Sequence, residues 1–85
     1  MKTFEYTIKD ELGIHARPAG LLVKEANTFL SAITLTKGEK QADAKKIFSI
    51  MGLGAKCGDT IVISAEGDDE EVAITALETF MKNSW

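Results

Sequence analysis

The only histidine, the only arginine and the only proline of this chain fall within four consecutive positions, inside the stretch GIHARPAG at residues 13–20. Proline is favoured in the first turn of a helix, so Pro18 predicts a helix that begins within a residue or two of His15. The unbonded amides and the positive dipole end of such a helix form an anion-binding site. The guanidinium of Arg17 adds a positive charge with paired N–H donors. The stretch therefore places a histidine beside a predicted phosphate-binding site.

A histidine in that position has two useful properties. The positive helix end opposes protonation, so the imidazole of His15 should remain neutral and nucleophilic near pH 7. A phosphoryl group accepted by the ring would meet donors that are already in place, and phosphoryl transfer needs little beyond positioning and charge stabilisation. The same residues also fit a plainer interpretation, in which His15 is a polar cap or a solvated loop residue and Arg17 pairs with a carboxylate.

Four segments show the period-2 alternation that is typical of strands with one buried face. A two-residue hairpin turn at Gly38 and Glu39 leads into the third strand, near residues 40–43, which is short and polar as suits a sheet edge. The predicted inward residues of the other strands are Phe4, Tyr6 and Ile8; Ile33 and Leu35; Ile61, Ile63 and Ala65.

Three segments show helical spacing and give the element order βαββαβα. Asp43 is the predicted cap of a short helix over residues 45–51, and the acids at 68–71 suit the positive end of the last helix. The buried stripe of the first helix is predicted as Ala19, Leu22, Val23, Ala26 and Leu30, with Gly20, Lys24 and Asn27 on another face. The stripe of the last helix is predicted as Val72, Ala73, Ala76, Leu77, Phe80 and Met81.

Composition limits the classes of function that this chain can have. Its 85 residues predict one domain, residues 1–85, and a net charge of −3 argues against non-specific nucleic-acid binding. Apolar runs fall far short of the roughly 18 residues that span a bilayer, and no signal-peptide core is present. The single cysteine, Cys57, forms no internal disulfide and is no basis for a metal site. We expect a cytoplasmic monomer without metal or cofactor.

The stretch GIHARPAG resembles the phosphorylation site of the HPr family, the histidine-containing phosphocarriers of the bacterial sugar phosphotransferase system. AKKIFSIMGLGAKCGD resembles the second-helix segment of that family, and IVISAEGDDEE its last strand and helix start. The resemblance covers the whole chain. It implies an α+β, two-layer open-faced sandwich with a four-stranded antiparallel sheet in the order 1-4-2-3 and three helices on one face.

The resemblance also implies roles for individual residues. His15 would accept a phosphoryl group on Nδ1 from Enzyme I, which phosphoenolpyruvate charges, and would pass it to EIIA domains of sugar permeases. Ala16, Arg17 and Pro18 would hold the phosphate. Such a protein is a carrier and not a stand-alone catalyst. The implied docking face consists of Ala16, Gly20, Lys24, Asn27, Ile47, Phe48 and Met51.

Helical spacing leaves Phe48 beside the stripe of its helix, so it is either an exposed partner contact or a side chain that folds into the core. Lysines are expected around this region and would steer an acidic partner toward His15, or would only be solvated. The four lysines are Lys24, Lys45, Lys46 and Lys56.

One position departs from the family pattern. Many members have a regulatory serine at the start of the second helix, and that position is Lys46 here, so no serine-kinase regulation is expected. Ser49 is expected to be an ordinary surface hydroxyl, and Cys57 a half-buried thiol without a role.

Three other functions remain open. A nitrogen-regulatory paralogue would retain the chemistry of His15 and change the partners, whereas a protein-binding regulatory module would never carry phosphate. A small hydrolase ranks last, because no general-base partner for His15 is visible.

Overall fold

The computed structural model describes residues 1–11, 13 and 16–85, so His15 lies outside the described residues. The elements in chain order are β1 (Lys2–Thr7), α1 (Ala16–Ala26), β2 (Ala32–Lys37), β3 (Lys40–Asp43), α2 (Ile47–Met51), β4 (Thr60–Glu66) and α3 (Glu70–Ser84). This order confirms the predicted succession of strands and helices.

The four strands form one antiparallel sheet in the order β1-β4-β2-β3, as the resemblance implies. In the register, Ile63 of β4 lies opposite Phe4 of β1 on one side and Leu35 of β2 on the other. Gly38 has φ +59 at the turn between β2 and β3, the conformation that this hairpin requires. The predicted alternation of the strands is confirmed.

The helices cover one face of the sheet and enclose the core with it. Fully buried side chains come from every layer, because the inward faces of the strands meet the apolar stripes of the helices. The largest apolar ones are Leu22, Ile33, Leu35, Ile50, Leu53, Ile61, Ile63, Leu77 and Met81. Among the described residues, no helix has the length and apolar character needed to cross a membrane.

The predicted stripe of α1 is wrong at its last member. The helix ends at Ala26, and Leu30 lies beyond it with 86% of its surface exposed. The side chains of Asn27 and Thr28 bond back to the carbonyls of Val23 and Glu25, at 2.8 and 2.7 Å. Such local side-chain bonds compete with the helical pattern and turn the chain toward β2.

Two other helix predictions need correction. In α3, Val72 is 65% exposed, whereas the neighbouring Ile74 packs against the core. Helix α2 begins at Ile47, with Lys46 at its N-cap position. Asp43 does not cap it, because its Oδ1 accepts the amide of Lys45 at 2.9 Å in a turn that precedes the helix.

Candidate functional site

The amino end of α1 lies where Pro18 predicts it. The helix begins at Ala16, directly after His15 in the sequence, and its first turn contains no acidic residue. Ala16 and Arg17 are exposed, whereas Pro18 is buried. The first amides of a helix have no partner within it, so this end presents N–H donors and a positive dipole to solvent. The exposed Arg17 is the second residue of this helix.

Gly13 and Ile8, which follow β1, both contact the loop at residues 54–59, which precedes β4. Gly13 has φ +70, and a Cβ added there would lie 2.7 Å from the carbonyl oxygen of Ala55. The same loop is bonded to the end of β1, since the Ile8 amide donates to the Asp59 carbonyl at 2.9 Å and the Gly58 amide to the Ile8 carbonyl at 2.8 Å. Only glycine fits at position 13 without displacing the loop backbone.

Asp59 stabilises this loop from within. Its Oδ2 accepts the backbone amide of Lys56 at 2.8 Å and lies 3.3 Å from the Lys37 ammonium. These two contacts, the Lys56 amide first, lower the pKa of the Asp59 carboxyl. Lys37 also donates to the Gly54 carbonyl at 3.2 Å, so it ties the sheet to the loop.

The residues of the predicted docking face lie on α1 and α2, which pack against each other. A Cβ added at Gly20 would lie 3.8 Å from Cδ1 of the half-buried Ile47. Phe48 is 86% exposed and Met51 is 39% exposed, so Phe48 does not fold into the core. On α1 and just beyond it, Ala16, Lys24 and Asn27 are exposed as well.

Of the four lysines expected around this face, Lys45 forms a hydrogen bond through its ammonium group. Its ammonium donates to the carbonyl oxygen of Phe29 at 2.8 Å, and the side chain is half-buried. The side chains of Lys24, Lys46 and Lys56 are exposed. Three of the four lysines are therefore accessible to a partner, and the fourth is fixed by its bond to a backbone carbonyl.

Two smaller predictions are wrong. Ser49 is half-buried, and its Oγ accepts the amide of Asp43 at 2.9 Å, so the hydroxyl joins α2 to the end of β3. Cys57 is exposed, with its Sγ 3.7 Å from the Lys9 carbonyl. Within the described ranges, no three residues among His, Cys, Asp and Glu lie together in a way that could hold a metal ion.

One contact at the start of α1 was missed from the sequence. The indole Nε1 of Trp85, the residue after α3, donates to the carbonyl oxygen of Pro18 at 2.8 Å. The sequence signal was the presence of a single tryptophan, but nothing in its spacing indicates a partner 67 positions away.

Comparisons with known proteins agree with this architecture. Residues 2–83 match the family described as "PTS HPr component phosphorylation site". The phosphocarrier protein HPr of Lysinibacillus sphaericus is 47% identical, over 95% of this chain and 92% of its own length. A histidine-containing phosphocarrier protein of Mycoplasma superposes with a TM-score of 0.93 at 41% identity, over 96% of this chain and 93% of its own.

A third relative is an HPr dimer from Thermoanaerobacter tengcongensis, which superposes with a TM-score of 0.77 at 46% identity, over 98% of this chain and 95% of its own. The sequence match spans nearly the whole chain, and the superposed structures share its strand order. The chain therefore belongs to the HPr family of phosphotransferase-system phosphocarriers.

Proposed function

We propose that this protein accepts a phosphoryl group on His15 from phospho-Enzyme I and passes it to EIIA domains of sugar permeases. Phosphoenolpyruvate is the ultimate donor, and the exchange takes place in the cytoplasm. The proposal rests on membership of the family together with one observation, the start of α1 at Ala16, directly after His15 in the sequence. A neutral imidazole next to an anion-binding helix end is suited to carry a labile phosphoryl group.

The chemistry is the transfer of one phosphoryl group between two proteins. The Nδ1 lone pair of His15 attacks phosphorus as the bond from phosphorus to the donor atom of phospho-Enzyme I breaks, and that electron pair returns to the donor atom. The transferred group spreads negative charge over its oxygens. The amides at Ala16 and Arg17 and the Arg17 guanidinium stabilise that charge. Pro18 fixes the turn that presents them.

One arginine suits a carrier better than a cluster of cations would. Each charge-assisted hydrogen bond to the phosphoryl group stabilises the phosphorylated form by about 1.5–3 kcal/mol. Further cations would hold the group too firmly to pass on. The exposed position of Arg17 in solvent moderates its attraction for phosphate, so that the group can be released to the next acceptor.

Both partners bind the same face. The exposed side chains of Phe48 and Met51 supply its apolar centre, and Lys24 supplies charge at its rim. A small apolar patch with a polar rim is typical of transient protein interfaces. The donor and the acceptor must reach the same histidine, so they occupy this face in turn.

The test is incubation of the protein with phosphoenolpyruvate and Enzyme I, followed by chemical analysis of the bound phosphate. We expect one acid-labile, base-stable phosphate, which His15→Ala abolishes and Asn83→Ala, an exposed change on α3, leaves intact. Subsequent addition of an EIIA protein should remove the label. Absence of label would favour a non-phosphorylated binding module. Charging only by a nitrogen-type Enzyme I would identify the nitrogen-regulatory branch.

We also propose that this carrier is not controlled by a serine kinase. Lys46 occupies the N-cap position of α2, and its side chain offers no hydroxyl to phosphorylate. The Ser49 hydroxyl is bonded to the Asp43 amide. Stoichiometric serine phosphate after treatment with ATP and the kinase would contradict this.

A further inference from the structure

Trp85 joins the end of α3 to the start of α1. Its backbone amide donates to the carbonyl of Met81 at 3.1 Å, which continues the helical bonding pattern by one residue. Its half-buried ring packs against the core, and the indole N–H donates to the Pro18 carbonyl at 2.8 Å. A side chain 67 positions away thus bonds directly to the third residue of α1.

The first turn of a helix is the part most prone to open, because its amides have no partner within the helix. Pro18 has no backbone N–H to donate. Its position is fixed by burial of its ring and by the hydrogen bond that its carbonyl accepts from Trp85. On the Trp85 side of the contact, the last turns of α3 are anchored in the core, because Leu77 and Met81 are fully buried. The indole bond therefore links a helix turn that is prone to fray to a side chain that packs against the core at the end of α3.

We propose that Trp85 is a positioning residue for the phosphoryl site. Its N–H bond to Pro18 holds the first turn of α1 in the geometry in which the amides at Ala16 and Arg17 face the incoming phosphoryl oxygens. This inference rests on the proposed function. Donors that are fixed before the reaction lower its barrier, because no ordering remains to be done as charge develops.

The decisive experiment removes one N–H group. The chain contains a single tryptophan, so growth on benzothienylalanine replaces Trp85 alone by a side chain of nearly the same shape, with sulfur in place of the indole N–H. Phosphorylation by Enzyme I and phosphoenolpyruvate is then measured over a range of carrier concentrations. The loss of one neutral hydrogen bond should lower kcat about two- to tenfold. KM should change by less than about twofold, because Phe48 and Met51, the apolar centre of the proposed docking face, lie on α2 and are untouched.

Two controls accompany the substitution. Val72→Ala changes an exposed residue of the same helix and should leave both constants unchanged. Trp85→Phe should reproduce the loss in kcat, since it also lacks the donor. An unchanged kcat in the benzothienyl protein, or a raised KM alone, overturns the role of Trp85 while the proposed function stands. An unmodified protein that takes up no phosphate overturns both proposals.

A second measurement uses the unmodified protein and does not depend on the folding of any variant. The fluorescence of Trp85 should shift when His15 is phosphorylated, because the indole bonds to the turn whose amides take up the phosphate. The signal should not respond in His15→Ala under the same conditions. Emission that stays constant through stoichiometric phosphorylation contradicts the coupling of Trp85 to the site.

Discussion

In the proposed mechanism, Arg17 is the main phosphate-binding residue beside His15. It is exposed in the first turn of α1, so it contributes little to packing, and a substitution should act on phosphate and not on the fold. Arg17→Gln removes charge-assisted hydrogen bonds and should slow phosphorylation of His15 by about 10- to 100-fold. Arg17→Lys keeps the positive charge but loses the paired N–H donors of the guanidinium. Its rate of phosphorylation should lie between those of the Arg17→Gln variant and the unsubstituted protein.

The measurement is the initial rate of phosphorylation by Enzyme I, with the free energy of unfolding determined for each variant. Unfolding should differ from the unsubstituted protein by less than about 0.5 kcal/mol. An Arg17→Gln protein phosphorylated at the unsubstituted rate would exclude this residue from the phosphate site.

Gly13 offers a second test at the scale of one residue. Gly13→Ala must adopt φ +70 and place its Cβ 2.7 Å from the Ala55 carbonyl oxygen, so we expect a loss of about 2–4 kcal/mol of stability. Gly38→Ala is the matched control, because its φ is +59 and no heavy atom lies within 4 Å of the added Cβ. It should lose only about 1–2 kcal/mol. Urea unfolding of both variants measures the difference, and equal losses would show that the contact with Ala55 is unimportant.

Residue types predicted the start of α1 better than they predicted the contacts around it. Pro18 and Arg17 could be assigned to a helix start because proline has few permitted positions. The side-chain hydrogen bonds of Lys45 and Ser49 could not be predicted. Their partners are backbone atoms, which the turn after β3 brings close to the two side chains. Trp85 was missed for the same reason, since its partner is a backbone carbonyl distant in sequence.

At the scale of elements, the junction between β2 and α3 depends on Asp69. Its carboxylate accepts the amides of Leu30 and Ser31 at 2.8 and 2.9 Å and, in a short contact, the Ser31 hydroxyl. The Ser31 hydroxyl and then the Leu30 amide lower the pKa of Asp69 below its ordinary value. Although Asp69 is the N-cap residue of α3, its side chain makes no bond to that helix.

This contact predicts a dependence of stability on pH. A carboxyl whose pKa is lowered in the folded state stabilises the protein above its unfolded pKa of about 4. That contribution should disappear as the pH falls from about 4 through the lower folded pKa. Asp69→Asn should be less stable at neutral pH and lose less stability between pH 5 and pH 2, roughly the window for such a group. Chemical unfolding across that range tests this, and parallel pH curves for the two proteins would contradict it.

Two substitutions in α2 should separate an effect on partner binding from an effect on the free energy of unfolding. Phe48→Ala removes a side chain that is 86% exposed, so the free energy of unfolding should change by less than about 0.5 kcal/mol. The KM for phosphorylation by Enzyme I should rise several-fold, because the apolar centre of the docking face is lost. Ile50→Ala, at a fully buried position of the same helix, should cost about 2–5 kcal/mol of stability. A Phe48→Ala protein with unchanged KM would place the docking surface elsewhere.

The elements were predictable where periodicity is unambiguous and not where local bonds end a helix. The strands alternate without interruption, so their inward faces could be assigned from the sequence. The stripe of α1 was extended too far because Leu30 fits the helical period. The side chains of Asn27 and Thr28 nevertheless bond to carbonyls of the last turn and end the helix at Ala26.

At the scale of the whole molecule, the oligomeric state stays a prediction. A relative of known structure is described as an HPr dimer, and we predict that this chain is a monomer that presents one face to successive partners. Light scattering after size exclusion should give the chain mass of 9.2 kDa at micromolar concentrations. A stable dimer whose interface covers Phe48 would contradict the proposed use of that face.

The strand order was the part of the architecture that spacing could not supply. Alternation predicts which residues face inward, but it does not say which strands are neighbours. The order 1-4-2-3 was inferred from the resemblance to the HPr family, and the structure has it. That order places β4 beside β1, and the loop before β4 contacts Gly13, three residues before the start of α1.

Amide NMR spectra of the ¹⁵N-labelled protein, recorded before and after phosphorylation, test the phosphoryl site at His15 without any substitution. We predict that phosphorus is bonded to Nδ1 of His15 and that the largest shifts fall on the amides of Ala16 and Arg17, at the amino end of α1. Phosphorus on another atom, or amides at this helix end that do not respond, would contradict it.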